Sequence, residues 1–307
     1  MGATANGFRS GEHPSRTAEY MALFRAVETA ERADRRLFED PYAALLLTGR
    51  LKALAEFARL PVVGRLATHF LDLGWPRTRS SAVVRTRLID DLVQQAMRAG
   101  ARQALLLGAG FDSRPYRLEE LRNVPLFEVD HPSTQKAKRQ RLQARLGRLP
   151  ANVHFVPVDF EKDDLETTLL RAGFDARVAA VAVWEGVVSY LTPAAVDQNF
   201  RMLARILAYN DAQGSRLIFS YVHSGALDGS VAFREARRWK SSVRSSGEPF
   251  IFGFDPAGLA DYLRPRGFAL VSDVSTAEAA ESYCQPIHRS EPGSELYRIA
   301  VAQRAAV

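Results

Sequence analysis

Residues Ala104 to Arg114 read ALLLGAGFDSR, a short apolar run that breaks into two glycines one residue apart, with Asp112 directly behind them. Leu105, Leu106 and Leu107 have the continuous hydrophobicity of a strand covered on both faces. Gly108 and Gly110 lack the Cβ that would hold a ligand away from the backbone. Such a turn, opening onto a helix, presents unpaired N–H groups to an anion, so a carboxylate or a phosphate fits there. A dinucleotide fingerprint asks for a third small residue three positions after the second glycine. That position is Ser113, but Arg114 and Pro115 behind it give a poor context for pyrophosphate. Alone, the glycine pair also suits a plain strand-to-helix turn.

Further acids narrow the choice. Leu126 to Asp130 (LFEVD) is a second apolar run ending in an acid, and Asp130 lies twenty residues past Gly110. A carboxylate closing a second parallel strand at that distance accepts bonds from ribose hydroxyls. A third run, His154 to Asp159, and a fourth, Val178 to Trp184 with Glu185 behind it, close in the same way. One acid at a strand end is ordinarily a helix cap. Four strands each ending in a turn or an acid describe one pocket, outside the carboxyl ends of an open parallel sheet.

These segments resemble the leucine carboxyl methyltransferase-like branch of the class I S-adenosylmethionine-dependent methyltransferases. The matching stretches are SRTAEYMALFRAVE (15–28), FEDPYA (38–43), VVRTRLIDD (83–91), LLLGAGFDSRPYRL (105–118), FEVDHPSTQKAKRQRL (127–142), VPVDF (156–160) and WEGVVSYLTP (184–193). They run in the family's order through about two thirds of the chain. The resemblance implies a Rossmann-like α/β fold, with a seven-stranded, mostly parallel sheet, a C-terminal antiparallel hairpin and an N-terminal helical cap. It implies one methyltransferase domain over residues 1–307, with the cap in 1–100 and the cofactor-binding core in 101–307.

The resemblance also implies S-adenosylmethionine as cofactor, leaving as S-adenosylhomocysteine. Gly108 and Gly110, with Ala109 and Asp112 beside them, would lie against its methionine part, Asp130 would take the ribose, and Asp159 with Phe160 would lie near adenine. Glu185 would face the methionine end, where an acid binds the amino group or balances the sulfonium. Arg85 would contact the cofactor or a substrate carboxylate, with Arg87 as the alternative.

Methyl transfer is an in-line displacement that asks the protein to align a nucleophile and exclude water, with no need of a metal. A carboxylate acceptor is already ionised near neutral pH and needs a clamp rather than a base. Arg85 and Tyr190 are the preferred pair, a planar guanidinium fork with a phenol hydroxyl. A phenol or alcohol acceptor would need a base, for which His131 and His223 are candidates, although His131 next to Pro132 favours a structural role. Three classes follow: a small-molecule O-methyltransferase acting on a metabolite such as a polyketide, a carboxyl methyltransferase of a protein C-terminus or modified tRNA base, and a cofactor-binding protein without catalysis. An NAD-dependent oxidoreductase is a distant fourth.

The rest of the chain agrees. Its 307 residues, 47% hydrophobic, can bury a substantial core. The N-terminus lacks a signal-peptide core, no apolar stretch reaches membrane-spanning length, and one cysteine cannot make an internal disulfide, so a cytoplasmic protein is expected. Six scattered histidines give no zinc spacing. The net charge of +6 invites nucleic acid. Much of it, however, lies on the amphipathic segment after Asp130, where Lys136, Lys138, Arg139, Arg141, Arg145 and Arg148 read as a solvated helix face without aromatics for base stacking. Helices are expected over Thr17 to Arg32, Pro41 to Leu73 with breaks at Pro61 and Gly64, and Ala82 to Met97. Strands and helices then alternate to Tyr221, followed by strands at Phe268 to Val274 and Tyr297 to Ala302 with a long connection between them. Residues 222–255, bearing Trp239, Phe250, Phe252 and Phe254, are a candidate substrate lid or an insertion.

Overall fold

Gln103–Leu107 forms strand β1 with all five residues buried, as its unbroken apolar run predicts. Successive side chains of a strand point to opposite faces. Leu105 and Leu107 therefore join one cluster with Phe200, Leu203 and Phe219, while Ala104 and Leu106 join another with Ile89, Val93 and Met97. The computed structural model describes residues 14–60, 72, 77–159, 163–207, 214–233 and 250–305. Phe160, Trp239 and residues 234–249 of the candidate lid lie outside them.

Strands β2 (Leu126–Asp130), β3 (Val153–Pro157), β4 (Ala180–Trp184), β5 (Arg216–Val222), β6 (Phe268–Ser275) and β7 (Tyr297–Arg304) complete a seven-stranded sheet in the order β3-β2-β1-β4-β5-β7-β6. The first five are parallel, and β7 runs antiparallel between β5 and β6. This is the Rossmann-like class I arrangement that the resemblance implies. The inserted antiparallel strand sets it apart from dinucleotide folds, whose sheets continue parallel. The chain winds outward from β1 through β2 to β3, then returns to place β4 on the other side of β1. The crevice between the ends of β1 and β4 is thus the switch point at which open α/β sheets bind ligands.

Before the sheet come α1 (Arg16–Ala30), a 3-10 turn (Ala43–Leu46), α2 (Gly49–Phe57) and α3 (Thr78–Arg98). Ser15 caps α1 by accepting the Ala18 amide at 3.2 Å, as its sequence position suggests. The continuous helical texture read from Pro41 onward is broken at Leu47 and Thr48; residues 61–71 and 73–76 are not among those described. Later helices are α4 (Arg114–Arg117), α5 (Pro132–Leu146), α6 (Leu165–Arg171), α7 (Pro193–Ile206), α8 (Ser224–Asp228), α9 (Leu259–Leu263) and α10 (Thr276–Cys284). The helix expected at Tyr116 to Leu121 is a single α turn followed by a 3-10 turn at Glu119–Leu121. No helix among the described residues is long and apolar enough to cross a membrane.

Helix α10 is absent from the sequence reading, which has only a long connection there. Its signal was present: Ser275 and Glu278 form a capping box, each side chain accepting the other's backbone N–H. Behind α10, Arg289 reaches across to α1 and grips Glu28 at 2.6 and 2.7 Å, a buried pair that ties the tail to the N-terminal helices.

The basic segment requires a correction. Leu142 is buried as expected of an amphipathic helix, and several charges of α5 do face solvent. Lys138, however, is 1% exposed and donates to Glu128 of β2 at 2.7 Å. Tyr116 completes that carboxylate at 3.1 Å. Arg141 spans from Glu19 to the ring of Phe111. Part of the apparent solvated face is therefore internal scaffolding, because a lysine can be buried when a carboxylate meets it there.

Candidate active site

The glycine turn follows directly from β1. Its first amide, Ala109 N–H, still donates to Val129 of β2 at 2.9 Å, and the Asp112 amide closes the turn on the Ala109 carbonyl at 2.8 Å. Gly108 and Gly110 have φ of +66° and +47°, the left-handed region where a Cβ is costly. Close walls add to the constraint. A Cβ on Gly108 would overlap the Val187 side chain, and one on Gly110 would come 3.3 Å from the Ala18 methyl of α1. The N-terminal helix therefore lies directly over the turn.

Asp130, at the end of β2, faces that turn. Its carboxylate accepts the Gly110 amide in a short hydrogen bond and the His131 amide at 2.6 Å. Burial raises its carboxyl above the ordinary aspartate range, against the lowering effect of those two amides. Each carboxylate oxygen can accept more than one donor, so Asp130 retains capacity for hydroxyl groups. Asp159 sits two residues beyond β3, its amide held by the Asp163 carboxylate at 2.8 Å, and the Val158 amide on the Asp130 carbonyl at 2.9 Å joins the two strand ends.

At the end of β4, Glu185 lies between two guanidinium groups. Arg85 of α3 donates to Oε1 at 2.7 Å and Arg114 to Oε2 at 2.8 Å. Burial works to raise this carboxyl, but the charges of Arg114 and Arg85 outweigh it and hold it below the ordinary glutamate range. Arg85 also turns Nη2 to the thioether of Met21 on α1, 3.3 Å away. Arg87, the alternative to Arg85, points elsewhere, to Asp91 and the Leu37 carbonyl. Asp112 accepts both the Arg114 amide at 2.8 Å and its Nη1 at 2.6 Å. Burial is again overruled by neighbouring cations, Arg114 first, and its carboxyl is held at about 2.

Tyr190 closes a 3-10 turn, Val188–Tyr190, and its ring packs 4.7 Å from Phe250. The returning limb of the candidate lid crosses this turn, with the Ile251 and Phe252 amides both on the Ser189 carbonyl, before Phe254 enters the core. Both histidine candidates for a base are helix caps. His131 Nδ1 accepts the Ser133 amide and His223 Nδ1 accepts the Gly225 amide, so the structural role expected of His131 holds and extends to His223.

Sequence reasoning missed the ionic lattice behind the turn. Asp90 of α3 accepts from Arg114 at 2.7 Å and from Arg117 at 2.6 and 2.7 Å. Arg117 reaches Ser113, Ser113 donates to Asp40, and Arg25 of α1 joins Asp40 to the Phe111 carbonyl. A signal existed: Arg25, Asp40, Asp90, Arg114 and Arg117 all fall within the segments that carry the resemblance.

Comparison with known proteins fits this geometry. The sequence profile of a family described as leucine carboxyl methyltransferase matches residues 18–204. A protein of Mycolicibacterium gilvum (strain PYR-GCK), named for the S-adenosyl-L-methionine-dependent methyltransferases, is 32% identical over 301 residues, covering 94% of both chains. A similarly named protein of Mycolicibacterium vanbaalenii is 34% identical over 304 residues, again with 94% of both covered. Among solved structures, one from Thermobifida fusca YX named for the methyltransferases superposes with a TM-score of 0.59 at 19% identity, covering 96% of both chains. That likeness shows the fold; the sequence relatives and the profile show more. The chain belongs to the leucine carboxyl methyltransferase family of S-adenosylmethionine-dependent methyltransferases.

Proposed function

We propose that this protein methylates a carboxylate oxygen of a small-molecule metabolite. The observation that carries this reading is the engagement of both histidines that are candidates for a base. His131 and His223 each spend the Nδ1 lone pair on a helix cap, and Glu185, held below the ordinary glutamate range by Arg114 and Arg85, is a weak base. An acceptor that arrives ionised needs no proton removed. The aromatic contact between Tyr190 and Phe250 supports a compact apolar acceptor.

The residues present fit the cofactor. Gly108, Ala109 and Gly110 let a ligand approach the backbone at the switch point, Asp130 offers acceptor capacity for ribose hydroxyls, and Asp159 lies by the adjoining strand end for adenine. Asp112 holds the turn in shape through Arg114. Glu185 would bind the methionine amino group, and Arg85 would hold a carboxylate, of the cofactor or of the acceptor. When bound, S-adenosylmethionine supplies an electrophilic methyl on a sulfonium. Tyr190 would orient the acceptor by donating its hydroxyl proton in a hydrogen bond, and the Phe250 limb would exclude water. A protein C-terminal carboxylate is the second reading, favoured by the family's description.

The test is calorimetric titration with S-adenosylmethionine, S-adenosylhomocysteine and NAD, followed by a panel of carboxylic acids, phenols and a leucine-terminated peptide assayed for methylated product. Binding of the first two, with turnover confined to small carboxylic acids, is expected. Tyr190→Phe should then lower turnover roughly 10-fold or more while sparing cofactor affinity. Turnover of phenols alone, or of the peptide alone, would overturn the reading.

A further inference from the structure

We infer that Arg114 is a positioning residue that fixes Glu185 relative to the glycine turn, and thereby sets the gap between the two walls that receive the methionine end of the cofactor. The inference rests on the proposed role of Glu185.

A single nitrogen spans that gap. Arg114 Nη1 donates to Asp112 at 2.6 Å and to Glu185 at 2.8 Å, joining the acids that follow the adjacent strands β1 and β4. A guanidinium Nη carries two protons, so one nitrogen can serve both carboxylates. Without a cation between them, the two acids would repel across the switch point. Arg114 itself cannot follow a moving ligand. Its side chain is 3% exposed, and Nε is bound to Asp90 at 2.7 Å. Asp90 is in turn held by both Nη groups of Arg117. Through Ser113, Asp40 and Arg25, the same lattice returns to the Phe111 carbonyl inside the turn.

Arg85 is anchored differently. It meets Glu185 through Nε and the thioether of Met21 through Nη2, and a thioether is a weak acceptor. A carboxylate entering the site can therefore draw Arg85 toward itself, while Arg114 keeps Glu185 in place. The two arginines divide the work: one is free to exchange partners, and the other holds the frame. Lysine could not substitute, because an ammonium has no planar fork to meet Asp90 along one edge and bridge two carboxylates with another nitrogen.

A double-mutant cycle on the full-length protein tests this, reading S-adenosylhomocysteine affinity by calorimetry and folding by thermal melting. Glu185→Gln alone should weaken binding roughly 10-fold or more through the lost charged hydrogen bond. Arg114→Lys should cost about as much on its own, yet less than about 2-fold when added to Glu185→Gln, since a residue acting through Glu185 has nothing left to position. Equal losses from Arg114→Lys in both backgrounds would reveal a merely structural role and overturn the inference, as would wild-type affinity in the single variant. Wild-type affinity for Glu185→Gln would instead overturn the reading of Glu185 itself. If Arg114→Lys fails to melt cooperatively, Asp90→Ala takes its place in the cycle, removing the acceptor of the Nε anchor while leaving the guanidinium charge, with the same two outcomes deciding.

Discussion

Alanine at Gly108 should destabilise the folded protein through two separable costs, and a second substitution can remove one of them. The first is conformational: φ at Gly108 is +66°, and an L-residue with a Cβ pays about 1–2 kcal/mol there. The second is steric, since the new Cβ would overlap Val187 in the segment after β4. Forcing a methyl into such a contact costs about 1–3 kcal/mol. Alanine also restricts the unfolded chain, which returns about 0.4–1 kcal/mol. The net loss is about 2–4 kcal/mol. With an unfolding entropy of about 2.1 cal/mol/K per residue, a chain of this length loses about 1.5 °C per kcal/mol, so the melting temperature should fall roughly 3–6 °C. In a Val187→Ala background the overlap is gone, and Gly108→Ala should then cost no more than about 2 °C. Thermal melts of the four proteins in the cycle provide the assay. An equal loss in both backgrounds, or a loss under about 1 °C in the wild-type background, would refute the argument that this glycine is required by its backbone angle and its neighbour together.

Two further expectations concern buried charge. Lys138→Ala leaves Glu128 unpaired in the core and should cost about 3–5 kcal/mol in urea denaturation, most of it recovered when Glu128→Gln and Lys138→Met are combined; a loss below about 1 kcal/mol would show that solvent reaches the pair. Asp112 titrates at about 2 in the folded protein against 3.8 for a free aspartate. A depressed carboxyl contributes stability that is fully present above the unfolded value and lost as pH falls through the folded one. Between about pH 4 and 2 the protein should therefore lose about 2 kcal/mol on this account, and Asp112→Asn should flatten that part of the acid-stability curve. An unchanged slope in the variant would contradict the ion pair with Arg114.

Local pattern was enough for much of this protein. The apolar run of β1, the glycines behind it and the spacing to Asp130 are short-range features, and a strand buried on both faces has no other way to write itself than as continuous hydrophobicity. A cap such as Ser15 is legible for the same reason, because a cap and the amide it satisfies lie within three residues of each other; that His131 caps its helix came only with the structure. Helix α10 carried a legible signal too, in Ser275 and Glu278, but its capping box lies outside the segments that carry the resemblance.

Pairings across long separations were decided by the tertiary structure alone. Spacing puts Lys138 one turn before Leu142 on the same helix face, but only the approach of Glu128, and the desolvation it compensates, makes that lysine internal. Likewise Arg85 and Glu185, one hundred residues apart, and Arg25 and Phe111, eighty-six apart, meet because the winding of the sheet brings α1, α3 and the ends of β1 and β4 to one crevice. A sequence states which residues carry charge and how each segment prefers to bend. Which charges neutralise one another depends on distance through space, and that is set only when the strands take their order.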